Sequence, residues 1–297
     1  MKYAIAMLAA AFSFSAAAQR NFDAVQIKVH QVAQGVYMLE GEGGNIGVSV
    51  GEDGVLLIDD QFAPLTQKIV DAVKTITDKP IRFLLNTHWH GDHAGGNENL
   101  GKMGVVIIAH DNVYKRLSTE QTNLLGKTPA TAKAGLPVVT FNDRIVYHIN
   151  GEEITAYHIP PAHTDTDSFV RFRNANVVHT GDVFASGRYP FIDSTNGGSV
   201  KGIVAAIDKL LPELDDFTKV IPGHGPLSTK REVIAYRKMI STVATRVEKM
   251  VKQGKTLEQV IAAQPLKEFD AEWGKFRKTN DFIPFVYYSF APYKPKQ

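Results

Sequence analysis

The 297-residue chain contains no cysteine. That excludes disulfides, thiolate metal ligands and a cysteine nucleophile together. It also lacks an excess of either charge: 33 basic residues face 31 acidic ones, leaving a net charge of +2. No basic block stands out, so nothing electrostatic favours nucleic acid as a partner. Long apolar runs are scarce as well. The stretch Tyr3 to Phe14 is too short to span a bilayer. Preceded by Lys2 and followed by Ala16-Ala17-Ala18, it reads as a secretory signal over residues 1–18, cleaved before Gln19. With no cysteine after it, a lipoprotein anchor is excluded, and the mature chain is expected in the periplasm or outside the cell, without stable membrane association. An oxidising compartment suits a protein free of thiols.

What remains is ordinary globular material, 44% hydrophobic and 22% charged, enough for a sizeable core. Residues 26–30, 36–40, 45–50 and 55–58 read as short strands separated by glycine-rich turns. Helical spacing follows over 65–76, then a buried strand at 81–85. A strand at 105–109, a helix over 111–125 and a weakly patterned loop at 126–135 come next. A hairpin around Gly151 joins strands 145–150 and 153–158, and further strands fall at 168–172, 177–180 and 218–221. Helices are expected at 200–211, 230–252 and 257–263, with an aromatic tail over 282–293 as core cover. No repeat or low-complexity linker interrupts this order.

The stretch Asn86-Thr87-His88-Trp89-His90-Gly91-Asp92-His93 carries the chemistry. In an extended segment residues two apart point the same way, so His88 and His90 can hold one cation together. Gly91 breaks the strand, and Asp92 and His93 fall where a helix begins, aimed at a neighbouring point. Two imidazoles on one ion and a carboxylate plus imidazole on the next form half of a two-metal site. Three later stretches each set one ligand-type residue in a loop after a strand: His163 in Pro161-Ala162-His163-Thr164, Asp182 in His179-Thr180-Gly181-Asp182, and His224 in Pro222-Gly223-His224-Gly225-Pro226.

In this order the motifs resemble those of the metallo-β-lactamase-fold superfamily, over roughly residues 31–226. The resemblance implies an α/β fold, a four-layer α/β/β/α sandwich of two mixed sheets flanked by helices, as a single domain over 19–297 with 227–297 a helical and aromatic extension. It puts His88, His90 and His163 on one metal, Asp92, His93 and His224 on a second, and Asp182 between both. Asp59 is expected to accept a hydrogen bond from a ligand histidine and fix its tautomer. Two divalent ions are implied, zinc favoured by the histidines, with iron or manganese admissible beside a bridging aspartate. The implied reaction is hydrolysis by metal-activated water, with Asp92 holding the nucleophile and carrying its proton.

Family membership does not choose the substrate. Binuclear lactamases of this fold place cysteine where Asp182 stands, and lysine where Ala185 stands. The aspartate instead looks like glyoxalase II, lactonases and phosphodiesterases. The expected substrate is a small ester, lactone, thioester or amide, with weak β-lactam hydrolysis. A dedicated lactamase, a phosphodiesterase and a non-catalytic metal-binding protein are the alternatives. Arg188 and Tyr189 are candidates for holding a substrate anion, with Phe62 and Trp89 as an apolar rim. For Arg188 a solvated loop charge, and for Trp89 packing beneath the site, are the competing readings.

Overall fold

A computed structural model describes residues 21–291 and 293; the expected signal over 1–18 lies outside the described residues. The strands in chain order are β1 (Lys28–Ala33), β2 (Val36–Glu40), β3 (Ile46–Gly51), β4 (Gly54–Ile58), β5 (Ile81–Asn86), β6 (Val106–His110), β7 (Gln121–Asn123), β8 (Gly126–Thr128), β9 (Val139–Phe141), β10 (Arg144–Ile149), β11 (Glu152–His158), β12 (Ser168–Phe172), β13 (Val177–His179) and β14 (Lys219–Ile221). The helices are α1 (Thr66–Lys74), α2 (Gly91–Ala94), α3 (Asn97–Lys102), α4 (Asp111–Leu117), α5 (Val200–Leu210), α6 (Lys230–Lys252), α7 (Leu257–Ala262), α8 (Asp270–Trp273) and α9 (Thr279–Tyr287).

Alternation along the strands sorts side chains between layers. On β4, Leu56 and Ile58 face a core shared with Ile154, Val170 and Phe172 of the other sheet. Val55 and Leu57 face the opposite way, onto Ile69 and Val73 of α1. The first sheet runs β1-β2-β3-β4-β5-β6-β9 and the second β10-β11-β12-β13-β14, each antiparallel at one end and parallel at the other. A third core packs α5, α6 and α9 on the outer face of the second sheet, through Phe169, Val178 and Val220. The result is the expected four-layer α/β/β/α sandwich.

Some elements differ from expectation. The helix expected over 111–125 stops at Leu117, because the Ser118 and Thr119 hydroxyls donate back to the Lys115 carbonyl and compete with the helical ladder. The chain then forms the β7–β8 hairpin in a stretch read as helix end and loop. The tail is helical over Thr279–Tyr287, with Phe282, Ile283 and Phe285 buried. Helix α6 keeps its expected bounds, and a reciprocal Thr229–Glu232 capping box fixes its start. Among the described residues no helix is long and apolar enough to cross a membrane.

The two sheets meet at one edge. Asn45, entering β3, donates its backbone N–H to the Gly223 carbonyl and its side-chain amide to Pro222 and Gly225. The backbone N–H of Ser168 donates to the Thr87 carbonyl. These bonds tie the loops after β5 and β14 across the sandwich, and the motif residues lie in those loops.

Candidate metal centre

Asn86, the last residue of β5, exchanges two side-chain hydrogen bonds with Asn97, which anchors the loop that follows. His90 stays extended and caps α2, so Asp92 and His93 enter its single turn. His88, His90 and His163 each bring a ligand atom within 4.8 Å of the others, and so do Asp92, His93 and His224. Asp182 faces both groups. Its Oδ1 lies 3.1 Å from His93 Nε2, and its Oδ2 lies 3.3 Å from His224 Nε2 and 3.7 Å from His163 Nε2. The structure therefore brings all seven ligand candidates to one place.

Hydrogen bonds fix which nitrogen each ring turns inward. His93 Nδ1 donates to Asp59 Oδ2 at 2.8 Å, and His163 Nδ1 donates to the Phe191 carbonyl at 2.8 Å. His90 Nε2 donates to Asp193 Oδ2 at 3.0 Å. The Thr87 hydroxyl donates to Asp59 Oδ2 at 2.7 Å, so it accepts from His88 Nδ1 at 3.1 Å. Each donation leaves the other ring nitrogen as a bare lone pair, the form a metal ligand needs. Asp59 acts on one ligand directly and on a second through Thr87. It does so from a left-handed backbone (φ 68°), a conformation rare outside glycine.

The donor set fits cations. His88 Nε2 and Asp182 Oδ1 are buried with no hydrogen-bond partner. His90 Nδ1 and His163 Nε2, whose rings donate elsewhere, approach to 2.8 Å lone pair to lone pair. A cation shared between them satisfies what a hydrogen bond cannot. A third group, Asp59, His88 and His93, also clusters, but the Asp59 oxygens are already taken by Thr87 and His93. Two glycines make room for the site. A side chain at Gly44 would enter the His93 ring, and one at Gly223 would strike Asp182 Oδ1.

The protonation states follow from burial and charge. Burial holds His88 well below the usual histidine range, and it lowers His163 to about 4, so both rings are neutral, the form in which they could hold a metal. His93 and His224 go the other way. Burial pushes them down, but Asp182, with Asp59 and Asp92 at His93 and with Asp92 at His224, lifts His93 well above its ordinary value and His224 to about 9. Burial raises Asp92 and Asp182, yet the neighbouring histidines hold both below the carboxylate range. The second group is thus a negative pocket that takes protons where it can take a divalent ion.

Residues 39–227, well over half of the chain, match the family model described as the metallo-beta-lactamase superfamily. The chain belongs to the metallo-beta-lactamase superfamily. It is 23% identical over 256 residues to a metallo-beta-lactamase type 2 of Bacteroides fragilis, covering 81% of this chain and 96% of that one. To a hydroxyacylglutathione hydrolase of Pelagibacter ubique it is 30% identical over 156 residues, covering 51% and 56%. In fold it is similar to a solved metallo-beta-lactamase from Pontibacter korlensis, with a TM-score of 0.61 and 19% identity, covering 73% of this chain and 99% of that one. As a superfamily member it is a metal-dependent hydrolase.

Beside the metal groups lies an open cavity of about 350 Å³. Asp92, Asp182 and His224 form part of its floor, and Phe62, Arg188 and Phe191 part of its wall. Two expectations about the pocket, Trp89 at its apolar rim and Tyr189 as an anion holder, need correction. Trp89 does not line the cavity; it is 2% exposed, packed with Ala94, Ala109, Val113 and Leu117 under the ligand loop and against the His90 ring. Tyr189 reaches the wall, but its hydroxyl donates to Asp270 and the Leu266 carbonyl, and its ring stacks on Phe282. Its polar end is therefore not offered to an anion.

Sequence reasoning missed Asp193 as the partner of His90, although it lies shortly after Arg188 and Tyr189. It also missed Thr87, which sits inside the motif, and Arg277, which no motif marks. His179 proves structural: its Nδ1 accepts from Gly181 N–H and its Nε2 donates to the Asn45 carbonyl.

Proposed function

We propose that this chain is an exported hydrolase that opens a small ester, lactone, thioester or amide, with two divalent ions, zinc favoured, at the two ligand groups. The observation that carries the reading is the asymmetry of the two carboxylates on either side of His93. Asp92 keeps 29% of its side chain exposed at the cavity floor, while Asp59, behind the site, is fully buried. Bound divalent ions supply Lewis acidity, making water acidic enough to serve as hydroxide near neutral pH and drawing electron density from a carbonyl.

Asp92, partly exposed at the cavity floor beside both ligand groups, accepts the proton from the attacking water and orients it. Asp59, Thr87, Asp193 and the Phe191 carbonyl keep the ligand rings fixed, so little reorganisation accompanies the reaction. Phe62 and Phe191 offer the reacting carbonyl an apolar wall.

Weak β-lactam turnover is part of the same proposal. Ala185 lines the cavity near the bridging aspartate and offers no charge for a carboxylate set beside the scissile bond. Losing one charge-assisted hydrogen bond costs about 1.5–3 kcal/mol, roughly tenfold to a hundred-and-fifty-fold in rate. The test is a hydrolysis screen of metal-analysed protein on aryl acetates, lactones, thioesters, phosphodiesters and β-lactams. Carbonyl substrates are expected to lead. A phosphodiester leading, or a β-lactam kcat/KM above about 10⁶ M⁻¹s⁻¹, well up the enzyme range, overturns the reading.

A further inference from the structure

The cavity wall opposite the metal groups carries two arginines, Arg188 after the bridging aspartate and Arg277 between α8 and α9. Both are half-buried. Neither makes an ion pair or side-chain hydrogen bond with any described residue, and Arg277 Nε is a buried donor with no partner. Aromatic rings hold them instead. The Arg188 guanidinium lies 4.3 Å over Phe276, and that of Arg277 lies 4.8 Å over Phe285 and 5.9 Å from Phe191. Such stacking fixes a planar cation while leaving its donor edge free. By contrast, Lys127 on the cavity's other side is paired with Glu120 at 2.9 Å.

Phe191 links the arginine pair to the ligands. Its ring packs 5.4 Å from His90 and 5.8 Å from His163, and 4.7 Å from Phe285 under Arg277. Arg277 thus lies one aromatic ring away from the first ligand group.

We propose that Arg188 and Arg277 form a clamp for a carboxylate of the substrate, separated from the scissile carbonyl by a short apolar spacer that lies along Phe191. This deepens the hydrolase reading and rests on it. It names the substrate class as a small acid whose ester, thioester or amide is cleaved at the end remote from its carboxylate. Burial presses both guanidinium groups toward losing their protons, and Arg277 feels Arg188 as a like charge. Asp182 acts the other way on both, with Glu42 at Arg188 and Asp281 at Arg277. An anion held between the two stacked arginines relieves the burial and the repulsion together. The spacer also explains why β-lactams, whose carboxylate sits next to the reacting ring, use this clamp poorly.

The test is calorimetric binding of 3-hydroxybenzoate and 3-hydroxybenzamide to the metal-loaded protein, with hydrolysis of their acetate esters measured in parallel. The parent protein is expected to prefer the carboxylate about tenfold to a hundredfold, and to lose that preference as salt rises. Arg277→Gln and Arg188→Gln should each bring it to within about threefold of parity, and Arg277→Lys should keep part of it. Thermal melting checks that each variant is folded. A preference that survives both Gln variants shows that another group holds the carboxylate and overturns the clamp. Absence of any preference in the parent does the same. Carboxylate binding without turnover of either acetate leaves the clamp standing and counts against the hydrolase reading alone.

Discussion

Replacing Asp59 by asparagine changes one atom at the centre of the ligand network. Asp59 Oδ1 accepts from Thr87 N–H at 2.7 Å, while Oδ2 accepts from the Thr87 hydroxyl and from His93 Nδ1. An asparagine amide can meet only one side of that arrangement with an oxygen. If the oxygen keeps the backbone bond, the amide NH₂ faces His93 Nδ1 and donates to it. The imidazole proton then moves to Nε2, the nitrogen 3.1 Å from Asp182 Oδ1, and the ring can no longer serve as a ligand. Losing a charge-assisted hydrogen bond costs about 1.5–3 kcal/mol, and changing a group that orients a metal ligand costs roughly 10–100-fold in affinity. Asp59→Asn should therefore weaken the ion at Asp92, His93 and His224 by about 10–100-fold. The ion at His88, His90 and His163 should suffer less, through Thr87 alone. Competition with a chromogenic chelator measures the two affinities separately. Asp59→Ala is less informative, because it leaves three buried donors unpaired at about 1–3 kcal/mol each, a large share of a domain's stability. If Asp59→Asn binds both ions within about threefold of the parent, Asp59 does not set the tautomer and the reasoning fails.

Further changes probe the same centre. Gly223→Ala drives a methyl into Asp182 Oδ1 and should lower bound metal to below half of the parent in elemental analysis after dialysis, with the melting temperature reporting any loss of fold. Asp92→Asn should retain the fold but lose most turnover, and near-parent hydrolysis would remove Asp92 from the mechanism. Metal affinity at the second group should depend on pH. His93 is lifted well above its ordinary value and His224 to about 9, so below that pH protons must leave both rings before an ion binds, and affinity should climb at least about tenfold per pH unit from 7 towards 9. A pH-independent affinity over that range would show that His224 is already deprotonated.

The sandwich and the residues that cluster as ligand candidates were legible because their signals are local. His88, His90, Asp92 and His93 sit within six residues, at the switch from strand to helix. Strands such as Ser168–Phe172 carry their own apolar runs. What was not legible depends on distant partners. Val113, Leu117 and Leu124 keep helical spacing, yet hydroxyl back-bonding ends α4 and Leu124 packs against the third core. Trp89 looked like a rim residue from its place in the motif, but an extended turn that aims His88 and His90 at the metal groups leaves it facing α4. Asp193 and Arg277 lie 103 and 187 residues beyond His90, and only the folded chain brings them to the site.

The central claim is that two groups of ligands hold two ions. Anomalous diffraction from crystals of zinc-loaded protein tests it most directly. Two peaks are predicted, one among His88, His90 and His163 and one among Asp92, His93 and His224, with Asp182 reaching both. A single peak, or peaks remote from these residues, would contradict the account.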